Sequence, residues 1–172
     1  LFRSRAPAPN CWAILNANTG TSSTYPQVYV NNSAIYVKTG SKSLYFKSSS
    51  TTYAYAIFPA IGMPLNTLRI TFSHKEESEA NSGILAVGYI TDPMDASTFV
   101  ELAQYTRLTK IWQDEELTLS GVPAAVANTA RLAFRYGGGP NNNYFVGIDD
   151  IMLQEVDFSC PGLTDISATT GD

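Results

Sequence analysis

The segment from Gly83 to Leu102 most strongly limits the folds that this chain can adopt. Between Ile84 and Ile90 both alternating sets of side chains are apolar, which is typical of a strand buried on both faces. Thr91-Asp92-Pro93 then ends the strand, because Pro93 has no amide hydrogen to donate, and Phe99–Leu102 resumes an extended pattern. A buried strand, an acidic turn and a return strand together predict a β-sandwich.

Composition and charge exclude several classes of partner. A length of 172 residues suits one domain, and 15% charged residues with 10 Tyr and 12 Gly are typical of an all-β extracellular module. The net charge of -4 gives no reason to expect nucleic acid as a partner. No apolar run reaches the length of a membrane span, so no membrane insertion is expected.

The remaining patterns predict about ten strands, without helical periodicity. The clearest strand has Leu68, Ile70 and Phe72 on one face and polar residues on the other, whereas His74–Ser82 is expected to be a charged loop. The predicted strands are 11–15, 27–30, 34–37, 43–47, 53–58, 68–73, 84–90, 99–102, 112–119, 131–136 and 144–154. They indicate an all-β, two-sheet antiparallel sandwich of the jelly-roll type.

We expect an irregular lead-in at 1–10, the jelly-roll domain at 11–160, and a linker or the start of a following domain at 161–172.

The two cysteines, Cys11 and Cys160, lie near opposite ends of the predicted domain. They are either two buried free thiols or a disulfide. The first and last strands of a sandwich often pair antiparallel, and this pairing favours a bridge between Cys11 and Cys160. A disulfide implies an oxidising compartment.

Two adjacent carboxylates, Asp149 and Asp150, lie in the closing strand. If Val146 and Ile148 face the core, alternation turns Asp150 inward, and the opposite register turns Asp149 inward with Ile151. Either register shields one carboxylate from water, which is costly unless it is paired, hydrogen-bonded or metal-bound. Calcium suits such a site because it takes carboxylate and carbonyl oxygens; backbone amides or an arginine are the alternative partners.

Catalysis has little support in the sequence. His74 is the single histidine, and its position in a charged segment is typical of a solvated residue. Paired carboxylates that suit a glycosidase occur at Glu76/Glu77, Asp92/Asp95 and Asp114/Glu115/Glu116, but each is more typical of a solvated turn. We therefore expect no enzymatic activity.

Glycan binding requires an exposed aromatic ring with polar neighbours. Tyr136 and Tyr144 flank Asn141, Asn142 and Asn143, and these five residues are the predicted glycan contacts. The alternative is that the tyrosines only cover the sandwich. Trp12 and Trp112 lie in strand patterns and are expected in the core.

Several motifs together resemble a known family. They are Cys11-Trp12, Gly40-Ser41-Lys42-Ser43-Leu44, the segment from Gly88 to Phe99 with Thr91-Asp92-Pro93-Met94-Asp95, and Ile148-Asp149-Asp150-Ile151. Across about residues 11–154 the chain is similar to secreted bacterial jelly rolls of the cleaved-adhesin and choice-of-anchor J type, which are MAM-like and galactose-binding-like. The tail from Pro161 to Ser167 resembles the opening of a fibronectin type III module.

The resemblance implies a non-catalytic role in a secreted or surface-anchored multidomain bacterial protein. Its implied partners are a glycan or a host or cell-surface protein, besides neighbouring domains; a structural spacer is the alternative and a carboxylate-based glycosidase a weaker one. The family also implies a structural calcium held by the turn residues Thr39 to Ser41 and by Asp149 or Asp150. Where family members usually have Phe-Glu near the start, Phe2 is followed here by Arg3.

Overall fold

The computed structural model describes residues 5–6, 11–19, 24–30, 37–47, 51–77, 83–106, 109–139 and 145–156. The side chains of five of these, 5, 6, 18, 19 and 29, are not described. The strands are β1 (Arg5–Ala6), β2 (Ala13–Leu15), β3 (Asn18–Thr19), β4 (Thr24–Tyr25), β5 (Gln27–Val30), β6 (Lys42–Lys47), β7 (Tyr53–Ile57), β8 (Leu68–Glu76), β9 (Ile84–Ile90), β10 (Phe99–Tyr105), β11 (Gln113–Thr118), β12 (Arg131–Gly137) and β13 (Phe145–Glu155). Single 3₁₀ turns cover Leu65–Thr67, Ala96–Thr98 and Leu119–Gly121.

Two antiparallel sheets form the sandwich. The six-stranded sheet has the order β1-β5-β6-β13-β8-β11, the five-stranded sheet has the order β10-β9-β12-β7-β2, and β3 and β4 form a separate ribbon. This architecture confirms the predicted all-β jelly-roll sandwich. No helix among the described residues is long and apolar enough to cross a membrane.

Strand β9 is buried on both faces, as its sequence predicts. Leu85 and Val87 point between the sheets and are fully buried, while Ile90 on the outer face belongs to a second apolar cluster with Phe99 packed against it. Phe99 lies so close to Gly88 that a Cβ atom there would approach its ring to 2.6 Å and the Val100 carbonyl oxygen to 2.2 Å. Gly88 therefore lets β10 pack tightly against β9.

Strand β8 is longer than predicted. The inward alternation of Leu68, Ile70 and Phe72 continues through His74 and Glu76, which are 1% and 0% exposed. The expected charged loop is therefore wrong for these residues. The ring nitrogen Nε2 of His74 lies 3.1 Å from Glu115 Oε1, and burial lowers the His74 pKa.

Glu76 forms a buried pair with Tyr136 inside the sandwich. The Tyr136 hydroxyl donates to Glu76 Oε2 at 2.7 Å and accepts from the Gly83 amide at 3.1 Å. Among the described residues no hydrogen-bond partner reaches Glu76 Oε1. Burial raises the Glu76 pKa to about 8 despite the Tyr136 hydrogen bond, so the neutral acid is the form that the interior favours.

The predicted Cys11–Cys160 disulfide is absent from this structure. Cys11 is an exposed free thiol, and Cys160 lies outside the described residues. The pairing of first and last strands that favoured the bridge does not occur. Strand β2, which follows Cys11, lies in the five-stranded sheet, whereas the closing strand β13 lies in the six-stranded sheet.

Within the expected lead-in at 1–10, Arg5–Ala6 pairs with β5. Residues 161–172 lie outside the described residues, so the following domain stays a prediction.

Glu76 makes stability depend on pH. Its folded pKa is raised from 4.5 to about 8, so its stabilising contribution is fully present below pH 4.5 and is lost as the pH rises to about 8. We expect Glu76→Gln to remove a decrease in unfolding free energy of at most about 1.4 kcal/mol per pH unit across this window.

Urea unfolding at several pH values measures this effect as the difference between wild type and variant. Glu155→Gln, which changes an exposed carboxylate at the end of β13, should leave the wild-type profile unchanged. An unchanged slope in Glu76→Gln would contradict the assignment.

Candidate functional site

A β-bulge in β13 sets the geometry of the candidate site. The register between β13 and β8 shifts between Asp149 and Met152, and Asp150 adopts a φ of 50°, which is uncommon for a residue other than glycine. Val146 and Ile148 face the core before the bulge, and Ile151 and Leu153 pack against it afterwards. Each of the two registers considered for this strand therefore applies to one half of it.

The Lys38–Thr39 segment covers the first carboxylate of the bulge. Asp149 is 8% exposed, and its Oδ2 accepts the amides of Lys38 at 2.7 Å and Thr39 at 3.3 Å. Its Oδ1 accepts the amide of Asp150 at 2.8 Å. The Thr39 hydroxyl donates to Asp150 Oδ1, whereas Ser41 makes no hydrogen bond to either carboxylate among the described residues. The shielded carboxylate thus has backbone amides as partners, which was the alternative to a metal.

The Lys38 ammonium lies among the neighbouring polar groups. It pairs with Asp114, donates to Ser73 Oγ at 2.9 Å and lies 3.6 Å from Asp150 Oδ2. The Ser73 hydroxyl donates to Asp114 at 2.6 Å. The Lys38–Asp114 hydrogen bond raises the Lys38 pKa and lowers the Asp114 pKa, so both groups remain charged at neutral pH.

These groups line an open depression of about 360 Å³ on the outer face of the six-stranded sheet. We call it the polar depression, and its lining residues are Lys38, Thr71, Phe72, Ser73, Asp114, Glu115, Glu116, Asp150 and Met152. It combines charged donors and acceptors with one exposed apolar side chain, Met152. A concave site with convergent polar groups beside a bulge is a common arrangement for ligand binding.

The donor set around Asp149 does not fit the calcium site that the family resemblance implies. Calcium is coordinated by oxygen atoms, but both oxygens of Asp149 already accept backbone N–H groups. The ammonium group of Lys38 lies between the carboxylates of Asp114 and Asp150. Among the described residues no three Asp, Glu, His or Cys side chains converge closely enough to hold a metal ion. Lys38 supplies beside these carboxylates the positive charge that a bound calcium ion would supply.

The partly exposed Trp112, with the buried Tyr45 nearby, adjoins the polar depression on the same outer face. Tyr45 and Trp112 lean over Gly147 from either side, since a Cβ atom there would lie 2.8 Å from Tyr45 Cε2 and 3.2 Å from Trp112 Cη2. The Lys75 ammonium lies 5.9 Å from the centre of the Trp112 ring. Trp112 is partly exposed, so its predicted core position is wrong. It lies one residue before the edge strand β11 and shares the solvent-facing side of that strand with Asp114 and Glu116.

A smaller cavity of about 170 Å³ lies beside these rings. Its lining residues are Tyr45, Lys75, Glu76, Glu77 and Lys110. The sequence signals for this surface are Trp112 with the alternating Asp114 and Glu116, which mark a solvent-facing phase of β11. Because the strand pattern predicts Trp112 in the core, this surface is not predicted from the sequence.

The predicted glycan contacts lie elsewhere or outside the described residues. Tyr136 is 0% exposed and points between the sheets, so it has no ring face for a sugar, and its predicted role as a stacking residue is wrong. Asn141, Asn142, Asn143 and Tyr144 lie outside the described residues. Trp12 packs against the core with its ring 4.0 Å from that of Phe58, as expected.

No model of a known protein family matches the sequence, and no curated protein matches it. Several solved structures share its fold. A cleaved adhesin domain of Lys-gingipain from Porphyromonas gingivalis has a TM-score of 0.62 at 18% identity, covering 86% of this chain and 92% of that one. TmCBM61 in complex with beta-1,4-galactotriose has a TM-score of 0.56 at 13% identity, covering 86% and 90%.

A family 30 carbohydrate-binding module from a cellulosomal cellulase of Clostridium thermocellum has a TM-score of 0.53 at 10% identity, covering 91% of this chain and 99% of the module. These similarities show that the chain has the jelly-roll fold of adhesin domains and carbohydrate-binding modules. They agree with the cleaved-adhesin resemblance in the sequence. The choice-of-anchor, MAM and fibronectin type III details stay predictions.

Lys38 is expected to stabilise the bulge. Lys38→Met keeps much of the aliphatic stem but leaves Asp114 and Asp150 facing each other without a cation, so we expect its melting temperature to fall by a few degrees. Lys42→Met, which removes an exposed lysine from the nearby strand β6, is the matched control and should melt like wild type. Equal melting of all three proteins would show that Lys38 contributes nothing measurable.

Calcium is expected to leave the wild-type protein unaffected. Because Lys38 already lies among the carboxylates, the melting temperature should be the same in millimolar calcium and in excess EDTA. Differential scanning calorimetry of the same protein batch in both buffers measures this. A calcium-dependent rise would restore the site implied by the family resemblance.

Proposed function

We propose that this chain is a non-catalytic carbohydrate-binding or adhesion module. The observation that carries the proposal is the placement of Trp112 next to the polar depression on one sheet face. Trp112 and Asp114 are two residues apart on the same side of an extended segment, which places them about 7 Å apart. A sugar that stacks on the Trp112 ring therefore lies within reach of charged hydrogen-bonding groups.

The polar depression supplies the chemistry that sugar hydroxyls require. Asp114 and Asp150 offer carboxylate acceptors, and the Lys38 ammonium and the Ser73 hydroxyl offer donors. Charge-assisted hydrogen bonds are stronger than those between neutral groups, and the existing contacts hold these side chains in place before a ligand arrives. Met152, with 48% of its surface exposed, adds an apolar contact at the edge.

The shared fold supports this proposal. TmCBM61 is in complex with a galactotriose, and the gingipain domain is an adhesin domain. By analogy of fold we place this chain in an extracytoplasmic protein, secreted or at the cell surface, with a glycan as the first partner and a host or cell-surface protein as the second. A structural spacer between other domains is the competing proposal.

The carboxylates of the polar depression do not favour a glycosidase. Such an enzyme requires a carboxylic acid that stays protonated near neutral pH, together with an ionised partner. Lys38 and Ser73 instead lower the pKa of Asp114, which stays ionised. The raised pKa belongs to Glu76, whose side chain is buried against Tyr136 inside the sandwich.

Binding to a panel of neutral and acidic polysaccharides tests the proposal. Affinity electrophoresis in gels that contain each polymer should show retardation by at least one of them. Trp112→Ala should weaken that binding by about tenfold or more, because loss of a well-packed aromatic contact costs more than about 1.4 kcal/mol.

Met94→Ala is the matched control for an apolar truncation, since Met94 is 80% exposed in the turn between β9 and β10, on the other sheet. It should bind like wild type. If no polymer retards the wild-type protein, the spacer or protein-adhesion alternative replaces glycan binding. If Trp112→Ala binds normally, the ligand lies on another surface.

A further inference from the structure

His74 is a buried titratable residue on the inner face of β8, and the proposed function does not use it. Its side chain is 1% exposed, and the centre of its ring lies 5.6 Å from that of Tyr105 in β10, which belongs to the other sheet. The ring of Phe72, on the same strand as His74, has its centre 6.1 Å away. Residues of both sheets therefore enclose the imidazole.

The hydrogen bonds of His74 suit the neutral imidazole. A neutral ring has one N–H group and one acceptor nitrogen. Nε2 lies 3.1 Å from Oε1 of Glu115, and because an ionised carboxylate can only accept, this nitrogen carries the hydrogen. Among the described residues no partner reaches Nδ1, which is buried. Protonation of His74 would therefore add a buried N–H group that has no acceptor.

The charges that face His74 do not fully offset this cost. Glu115 and Asp114, both on β11, favour the charged imidazolium, but burial disfavours it more strongly and lowers the His74 pKa. Tyr105 faces His74 from β10, and burial raises the Tyr105 pKa to about 12, so this group carries no charge in acid. The folded protein therefore disfavours protonation of His74.

The neighbours of His74 on the remaining elements do not act in the same direction. Ile148 of β13, which pairs with His74 in the sheet, is apolar. Glu76, two residues further along β8, is hydrogen-bonded to Tyr136 of β12, and burial raises the Glu76 pKa to about 8. Its neutral form becomes populated as the pH falls, so Glu76 stabilises the fold in acid, whereas protonation of His74 destabilises it.

Strand β11 is the part of the sandwich that protonation of His74 can release. Among the described residues β11 pairs with β8 alone, so it forms an edge of the six-stranded sheet. Partly exposed edge elements open locally at a lower free energy than central strands. Once β11 opens, water reaches both nitrogens of His74, which then takes up a proton with its ordinary pKa of about 6.5. Opening of β11 is therefore favoured as the pH falls below this value, because the opened form binds more protons.

Strand β11 also contributes to the proposed binding face. Asp114 lies in this strand, and Trp112 precedes it by one residue. We infer that His74 is an acid sensor that loosens β11, and with it the Trp112 and Asp114 side of the proposed binding face, as the pH falls. The loosening does not depend on what the module binds, so it can be tested without a ligand.

Hydrogen exchange followed by mass spectrometry measures the opening of β11 in the wild-type protein. Protection of the β11 amides, corrected for the intrinsic pH dependence of exchange, should fall about three- to tenfold between about pH 7.5 and about pH 5.5, since one proton changes an equilibrium at most tenfold per pH unit. The amides of β9, which is buried on both faces, should stay more protected than those of β11 at both pH values.

Three variants assign the effect to His74. His74→Gln keeps an N–H donor for Glu115 but cannot be protonated, so protection of β11 should no longer fall in acid. Glu115→Gln removes a carboxylate that favours the charged ring, so the loss of protection in acid should become larger than in wild type. Glu155→Gln removes an exposed carboxylate at the end of β13 and is the matched control, which should behave like wild type. The wild-type and Glu115→Gln measurements decide the matter if His74→Gln does not fold.

The proposed function adds one consequence of its own. A polysaccharide that spans Trp112 and the polar depression binds the closed form of β11, so it should raise the protection of the β11 amides in acid. A polymer that binds without raising this protection would place the ligand on another surface and leave the acid sensor intact.

The remaining outcomes concern the acid sensor itself. Equal protection of β11 at both pH values in wild type, a loss that persists in His74→Gln, or a loss that disappears in Glu115→Gln would overturn it. Equal protection of β9 and β11 would mean unfolding of the whole sandwich instead of release of one strand, and would overturn it as well. Failure of every polymer to bind would remove the proposed function and leave the exchange result standing.

Discussion

The bulge in β13 is the constraint on which the rest of the structure depends. Strand β13 lies between β6 and β8, and a continuous register would turn Ile151 and Leu153 out of the core that Val146 and Ile148 occupy. The extra residue restores the phase, and three backbone amides that donate to the Asp149 carboxylate hold it in place. These donors give the buried Asp149 carboxylate hydrogen-bond partners, so it is not left as an unsatisfied buried polar group.

The same bulge creates the outer face that we propose as the binding surface. It turns Asp150 toward solvent, where Lys38 bridges it to Asp114 on the edge strand. Two residues before Asp149 in β13, Gly147 leaves room for the rings of Tyr45 and Trp112. Core packing and the proposed ligand recognition thus depend on the same few residues of one central strand.

The sandwich itself could be predicted from alternating apolar residues, because one-sided burial in an antiparallel sheet imposes a period of two. Prediction failed where polar residues continue that period. His74 and Glu76 follow the inward phase of Phe72, but their polarity predicts a loop. The partners that allow them to be buried, Glu115 for His74 and Tyr136 for Glu76, are visible only in the tertiary structure. The prediction for Trp112 was wrong in the opposite sense: its size and apolarity favour the core, although it shares the solvent-facing phase of Asp114 and Glu116.

By itself the sequence determined the fold class, the doubly buried strand β9 and the presence of a shielded carboxylate at Asp149 or Asp150. These follow from local patterns, because alternation and the desolvation of a charge act on neighbouring residues. Only the tertiary structure decided that Lys38, Ser73 and Asp114 surround the bulge, and that strand β2, which follows Cys11, and the closing strand β13 belong to different sheets. Such contacts join residues that are 35 or more positions apart, and which strands become neighbours is set by packing of the whole chain rather than by any one segment.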